Sequence, residues 1–174
     1  MNQEFYNEME KLLSPEAILI NEPMSKHTTF RIGGNADMFV SPEITQVPAI
    51  MKLAKEYQVP VTIVGNGSNL LVGDKGIRGL VLAFGKAAET VTVDGNHITA
   101  GAGALLSKIA AEAVKNSLAG FEFAAGIPGT IGGALVMNAG AYDGEMKDVL
   151  VSAKVLTKEG QVIEVKAEDL DISY

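Results

Sequence analysis

Residues 126-GIPGTIGGALVMNAGAY-142 carry four glycines in their first eight positions and no charge. A glycine held in regular structure costs roughly 0.5–1 kcal/mol relative to alanine in chain entropy, so a run of this kind needs an offsetting interaction. Gly126, Gly129, Gly132 and Gly133 permit tight turns and close backbone approach, and Asn138 with Gly140 repeats the device. Between them, Ala134-Leu135-Val136-Met137 forms a short apolar element suited to packing under a ring system. A planar cofactor bearing a pyrophosphate needs both an apolar slot and bare backbone. The other reading is a core crossing in which glycine lets elements pack closely. The uncharged run from Phe123 to Tyr142 is twenty residues long, but five glycines, Pro128, Thr130 and Asn138 argue against a membrane-spanning helix.

A second glycine-bearing stretch, 65-GNGSNLLVG-73, follows the β-branched run VTIV. Gly65 and Gly67 leave no Cβ between the main chain and a ligand, and Ser68 and Asn69 add short side-chain donors. Successive amides in such a turn form an anion-binding nest. A dinucleotide-binding fingerprint requires a third glycine where Leu70 stands, with a helix after it, and no Gly-Lys-Ser/Thr is present for a Walker loop. The alternative is a plain strand-to-strand turn.

The 174 residues suffice for one domain of ordinary size or slightly more, and 47% hydrophobic with 20% charged residues describes a globular chain. A formal net charge of −7 removes any general electrostatic attraction to nucleic acid or an anionic membrane, so anionic ligands must be held mainly by backbone dipoles. With no cysteine and two distant histidines, His27 and His97, neither a thiolate nor a metal site is expected. Asp143, Glu145 and Asp148 match no calcium loop and read as a solvated turn. The N-terminal MNQEFYNEMEKLL lacks the positive start and apolar core of a signal peptide, which points to a cytoplasmic protein.

Apolar spacing predicts a helix over Glu4–Leu13, extended runs at Ile18–Asn21, Thr28–Ile32 and Asp37–Val40, and a helix from Ser41-Pro42 to about Gln58. In that helix Ser41 is the expected N-cap, Pro42 the first residue, and Pro48 a local irregularity. Val59–Val64 reads as a buried strand and Gly79–Phe84 as another. Hairpins are expected around Gly95-Asn96 and Lys158-Glu159-Gly160, with a helix over Ala104–Asn116 striped by Leu105, Leu106, Ile109 and Ala113. This succession describes a small αβ unit followed by a larger one with hairpins, not a doubly wound parallel sheet.

Four segments, 27-HTTFRIGGNAD-37, 61-VTIVGNGSNLLV-72, 121-FEFAAGIPGTIGGALVMNAGAY-142 and 172-ISY-174, together resemble the UDP-N-acetylenolpyruvoylglucosamine reductases, also called UDP-N-acetylmuramate dehydrogenases, over most of the chain. The resemblance implies an α+β fold, the two-subdomain FAD-binding fold of the vanillyl-alcohol-oxidase type. It divides the chain into a lead-in over 1–28, one flavin subdomain over 29–84 and a second over 85–174. It also implies noncovalent FAD, with Gly65, Asn66, Gly67, Ser68 and Asn69 on the pyrophosphate. Ile127, Pro128, Gly129, Thr130, Gly132 and Gly133 line flavin and diphosphate, with Asn138, Gly140 and Ala141 adjacent. The implied reaction belongs to peptidoglycan synthesis: NADPH reduces the flavin, which passes hydride to the enolpyruvyl group of a UDP-sugar. The arginine that follows the ISY tyrosine in such enzymes, and their substrate domain, have no counterpart here. The expectation is therefore an inactive N-terminal fragment with no catalytic residue of its own, Tyr174 being at most a substrate-side neighbour. Two alternatives accompany it: a flavin oxidase or dehydrogenase of the same fold acting on a small alcohol or hydroxy acid, and a non-catalytic nucleotide-binding module. The absence of cysteine, and of histidine near 65–71, argues against a covalently attached flavin. Oligomeric state is left open.

Overall fold

The computed structural model describes residues 2–173, so the expectation for Tyr174 lies outside the described residues. The chain forms two units, dividing between Ala87 and Ala88.

The first unit contains α1 (Gln3–Leu12), β1 (Ile18–Pro23), β2 (Asn35–Val40), α2 (Val47–Glu56), β3 (Val61–Val64) and β4 (Ile77–Ala83). Asn2 caps α1, its side chain accepting from the Glu4 and Phe5 amides. The strands form one sheet in the order β1-β2-β4-β3, with β1 antiparallel to β2 and the other pairs parallel. On the two central strands Met38, Val40, Leu80 and Leu82 are fully buried, and so are Phe39 and Val81 on the alternate positions. Both faces of the centre are thus covered, as parallel pairing with a crossover helix demands. One face is closed by Met24, Phe39, Val64, Val72 and Val81, with Leu70 and Ile77 at its margin.

Three local expectations change here. Thr28–Ile32 is a turn and not a strand, because the Thr28 hydroxyl donates to the Ile32 carbonyl (3.0 Å) and Arg31 N–H to the Thr28 carbonyl (3.1 Å). The 41–58 helix starts later than Ser41-Pro42: a 3-10 turn over Ile44–Gln46, closed by a reciprocal Glu43/Gln46 capping box, leads into α2. Pro48 then sits in the first turn of α2, where its missing N–H costs nothing. β3 is an edge strand with Ile63 exposed, because β4 takes the central place that a continuous apolar run suggested for 59–64.

The second unit contains β5 (Val91–Asp94), β6 (His97–Ala100), α3 (Leu106–Lys115), α4 (Ile131–Val136), β7 (Gly140–Ala141), β8 (Gly144–Glu145), α5 (Met146–Val149), β9 (Ser152–Leu156) and β10 (Val162–Lys166). Among the described residues its strands pair as antiparallel hairpins, β5–β6, β7–β8 and β9–β10. The hairpins at 95–96 and 158–160 stand where expected. Helix α3 buries Leu106, Ile109, Ala110 and Ala113, while Leu105 lies before it as the N-cap and is partly exposed. Residues 126–142 are not merely a succession of turns, since Ile131–Val136 is helical and Ala134 packs with Leu106, Phe123, Ala124 and Met146 into the core.

Candidate functional site

The 65–73 loop leaves the end of β3 and is pinned at several points. Gly67 has φ +65°, and a Cβ there would run into the His27 carbonyl oxygen. The Gly67 carbonyl accepts from both the Thr29 N–H (3.2 Å) and the Thr29 hydroxyl (3.3 Å). Leu70 and Val72 pack into the core beside Met24 and Phe39, and the Gly73 carbonyl accepts from Gly34 N–H at 3.0 Å. Between these anchors Asn66 and Asn69 are exposed, Ser68 is half-buried and Gly67 is buried. Among the described residues, none accepts from the amides of Asn66, Gly67, Ser68 or Asn69, nor do the Asn66, Ser68 and Asn69 side chains have a hydrogen-bond partner. No acidic residue occurs between Val61 and Gly73. Four unengaged amides on a fixed, acid-free loop are a nest for an anion.

The turn that holds this loop is itself braced. His27 Nε2 lies 3.0 Å from Glu22 Oε1, the His27 ring stacks on Phe39 with centroids 4.0 Å apart, and Lys26 Nζ reaches Glu22 at 3.3 Å. Burial pushes the Glu22 carboxyl up, but hydrogen bonds from His27 and Lys26 and their charges outweigh it and hold the group below its ordinary value. His27 is thus a packed, partnered histidine. Among the described residues no group of three His, Cys, Asp or Glu side chains could hold a metal ion.

The glycine-rich stretch of the second unit is built differently. A short antiparallel bridge sets Leu105 opposite Thr130, with Leu106 N–H donating to Gly129 O (3.0 Å) and Ile131 N–H to Ala104 O (2.8 Å). Gly132 N–H donates to Ala102 O (3.0 Å), Gly133 N–H to the Thr130 hydroxyl (3.4 Å) and Gly129 N–H to Ile127 O (2.9 Å). These amides are engaged within the chain. Leu105 and Thr130 form the non-hydrogen-bonded pair of the bridge, which leaves the Thr130 amide directed away from it. At Gly132 a Cβ would press on Ala102, so this glycine serves packing. Gly126 and Gly133 meet no close neighbour and have no positive φ, and alanine at Gly133 would be the better helix residue. Their bareness therefore leaves an open contour on the surface. A flat group can lie against such a contour, while the main chain beneath is rigid.

Asn138, expected beside the cofactor, points into the protein: it is 1% exposed, and its carboxamide is used on Lys147 N–H (3.0 Å) and the Glu145 carboxylate. Gly140 and Ala141 form β7 of the next hairpin, and Pro128 is exposed on the loop before α4. The structure thus gathers Gly65–Asn69 in one unit, and Ile127, Pro128, Gly129, Thr130, Gly132, Gly133, Gly140 and Ala141 in the other. Residue-by-residue reading missed Thr29, whose two bonds aim the first loop. The signal was present in 27-HTTFRIGG-34, but a hydroxyl in a turn has no pattern that names its distant partner.

A family model described as FAD binding domain matches residues 36–166. The chain is 51% identical over 186 aligned positions to a UDP-N-acetylenolpyruvoylglucosamine reductase of Agathobacter rectalis, covering 100% of this chain and 59% of that protein. It superposes on the crystal structure of the UDP-N-acetylenolpyruvylglucosamine reductase from Thermus caldophilus with a TM-score of 0.74 and 32% identity, over 90% of this chain and 54% of that one. An alkyldihydroxyacetonephosphate synthase shares the fold at a TM-score of 0.72 and 20% identity, over 96% of this chain and 35% of that one. The chain spans about three-fifths of the length of the curated relatives it matches, such as 59% of the Agathobacter protein. By fold and sequence together, the chain belongs to the FAD binding domain family.

Proposed function

We propose that this chain is the FAD-binding part of a UDP-N-acetylenolpyruvoylglucosamine reductase. The observation that carries this reading is the four unengaged amides of Asn66–Asn69 on an acid-free loop, in a chain about half identical to proteins of that name. In the first unit these amides, with the Asn66, Ser68 and Asn69 side chains, hold the pyrophosphate. In the second, Ile127–Gly133 presents the open contour and the Thr130 amide, with Gly140 and Ala141 adjoining. The two units on either side of Ala87 act as the two flavin subdomains. FAD bound noncovalently here would supply two-electron chemistry, hydride transfer from NADPH to the enolpyruvyl group of the UDP-sugar. The residues described here bind and orient it. The setting so implied is cytoplasmic, in the supply of peptidoglycan precursor; among the described residues no helix is long and apolar enough to cross a membrane.

The test is a titration of the folded, purified protein with FAD, followed by flavin fluorescence and visible absorption. Saturable quenching with a stoichiometry near one supports the reading. A folded protein that stays colourless and leaves the fluorescence of added FAD unchanged overturns it.

A further inference from the structure

Helix α4 ends in a left-handed residue, Asn138, with φ +42°. Its amide donates to Leu135 O (3.2 Å), and Ala139 N–H donates to Ala134 O (2.8 Å), the two bonds of a Schellman ending. Glycine is the usual residue at that position because it has no Cβ to strain. Asparagine tolerates the geometry and adds a carboxamide, and here that carboxamide is buried and used at both ends. Its oxygen accepts from the Lys147 amide and its nitrogen donates to the Glu145 carboxylate, which also meets Lys147 Nζ at 3.1 Å. Glu145 caps α5, and its own amide donates to Asp148 Oδ2 at 2.9 Å. One side chain therefore ties the end of α4 to the start of α5 and closes the intervening hairpin β7–β8 into a loop of fixed shape. The tip of that hairpin is strained, with Tyr142 at φ +50° and Asp143 at φ +65°, so it needs an external hold.

We propose that Asn138 is a positioning residue for the flavin cofactor, not a contact to it: it clamps the 139–147 segment so that Gly140 and Ala141 keep their register with the contour at Ile127–Gly133. The positioning role rests on the FAD reading above.

The substitution Asn138→Gly isolates the clamp, because glycine is at least as good at ending the helix and removes only the carboxamide. Hydrogen exchange of the apo protein reads the clamp, while FAD affinity and the visible circular dichroism of bound flavin read its consequence. Expected are exchange about tenfold faster, confined to amides of 139–149, an FAD Kd raised about tenfold, and an altered flavin dichroism. Unchanged exchange overturns the clamp. Faster exchange with Kd and dichroism as in the unsubstituted protein overturns the positioning role. If the unsubstituted protein takes up no FAD, the cofactor reading falls and the positioning role with it, and that arm alone tells this result apart. Should Asn138→Gly not fold, Asn138→Asp sets a second carboxylate against Glu145, with Lys147 and Asp148 beside the pair. Protection over 139–149, measured relative to the intrinsic exchange rate at each pH, is then low at neutral pH and rises as the pH falls and one carboxyl takes up a proton. Protection that does not change with pH in that variant, once the intrinsic rate is divided out, overturns the clamp.

Discussion

At the scale of single residues, the first loop depends on Gly67. Its left-handed backbone and the His27 carbonyl beside it leave no room for a methyl group. Gly67→Ala combines roughly 1–2 kcal/mol of conformational strain with a clash against backbone. We expect a loss of at least about 2 kcal/mol in urea unfolding, together with weakened FAD binding. Glu22 offers a prediction in pH. Its carboxyl is held below the ordinary value of 4.5, so its contribution to stability is present above that value and is lost as the pH falls through the lower folded-state value. Urea midpoints of the unsubstituted protein should therefore fall on acidification below 4.5, and Glu22→Gln should flatten that dependence. A net charge of −7 led to the expectation that an anion would be met by main chain. It did not reveal which amides were unengaged, since that depends on what Ala102, Ala104 and Thr130 do to one stretch and not to the other.

At the scale of elements, three helices end in the same way with three different non-glycine residues. Gln58, Ser117 and Asn138 all have positive φ, and in each case the following amide reaches back to the last helical turn: Val59 to Ala54, Leu118 to Ala113 and Ala139 to Ala134. Gln58 and Ser117 are exposed. Glycine at either should raise stability by about 0.5–1 kcal/mol, measured as a shift in urea midpoint, whereas glycine at Asn138 should lower it. At the other end of α2, Glu43→Ala removes the carboxylate half of the capping box and should cost about 0.5–2 kcal/mol by the same measurement. Helix interiors and hairpins were legible because periodicity and Gly95-Asn96 are local signals. Helix starts were less so. Ser41-Pro42 looked like a cap, yet the Glu43/Gln46 pair prevailed by satisfying two backbone donors at once, while the Gln46 amide also reaches Leu12 O at 2.9 Å.

At the scale of the whole molecule, the proposed hold on a dianionic link by amides in a chain of net charge −7 would release few counterions. FAD binding should therefore depend weakly on salt, its Kd changing less than about threefold between low and high sodium chloride, whereas a site built on lysine or arginine loses affinity steeply. Equilibrium titrations at two salt concentrations check this. The order of αβ elements and hairpins, the exclusion of thiol chemistry and the two glycine-bearing stretches were determined by the sequence alone, because each follows from residue type and short-range spacing. Only the tertiary structure decided how those stretches differ. The first is held by Thr29 and keeps four amides without an acceptor in the chain; the second spends its donors on Ala102, Ala104 and Thr130 and leaves mainly a surface. A hydrogen-bond donor is free or engaged according to acceptors distant in sequence, and the partners that settle it meet only when the chain has folded.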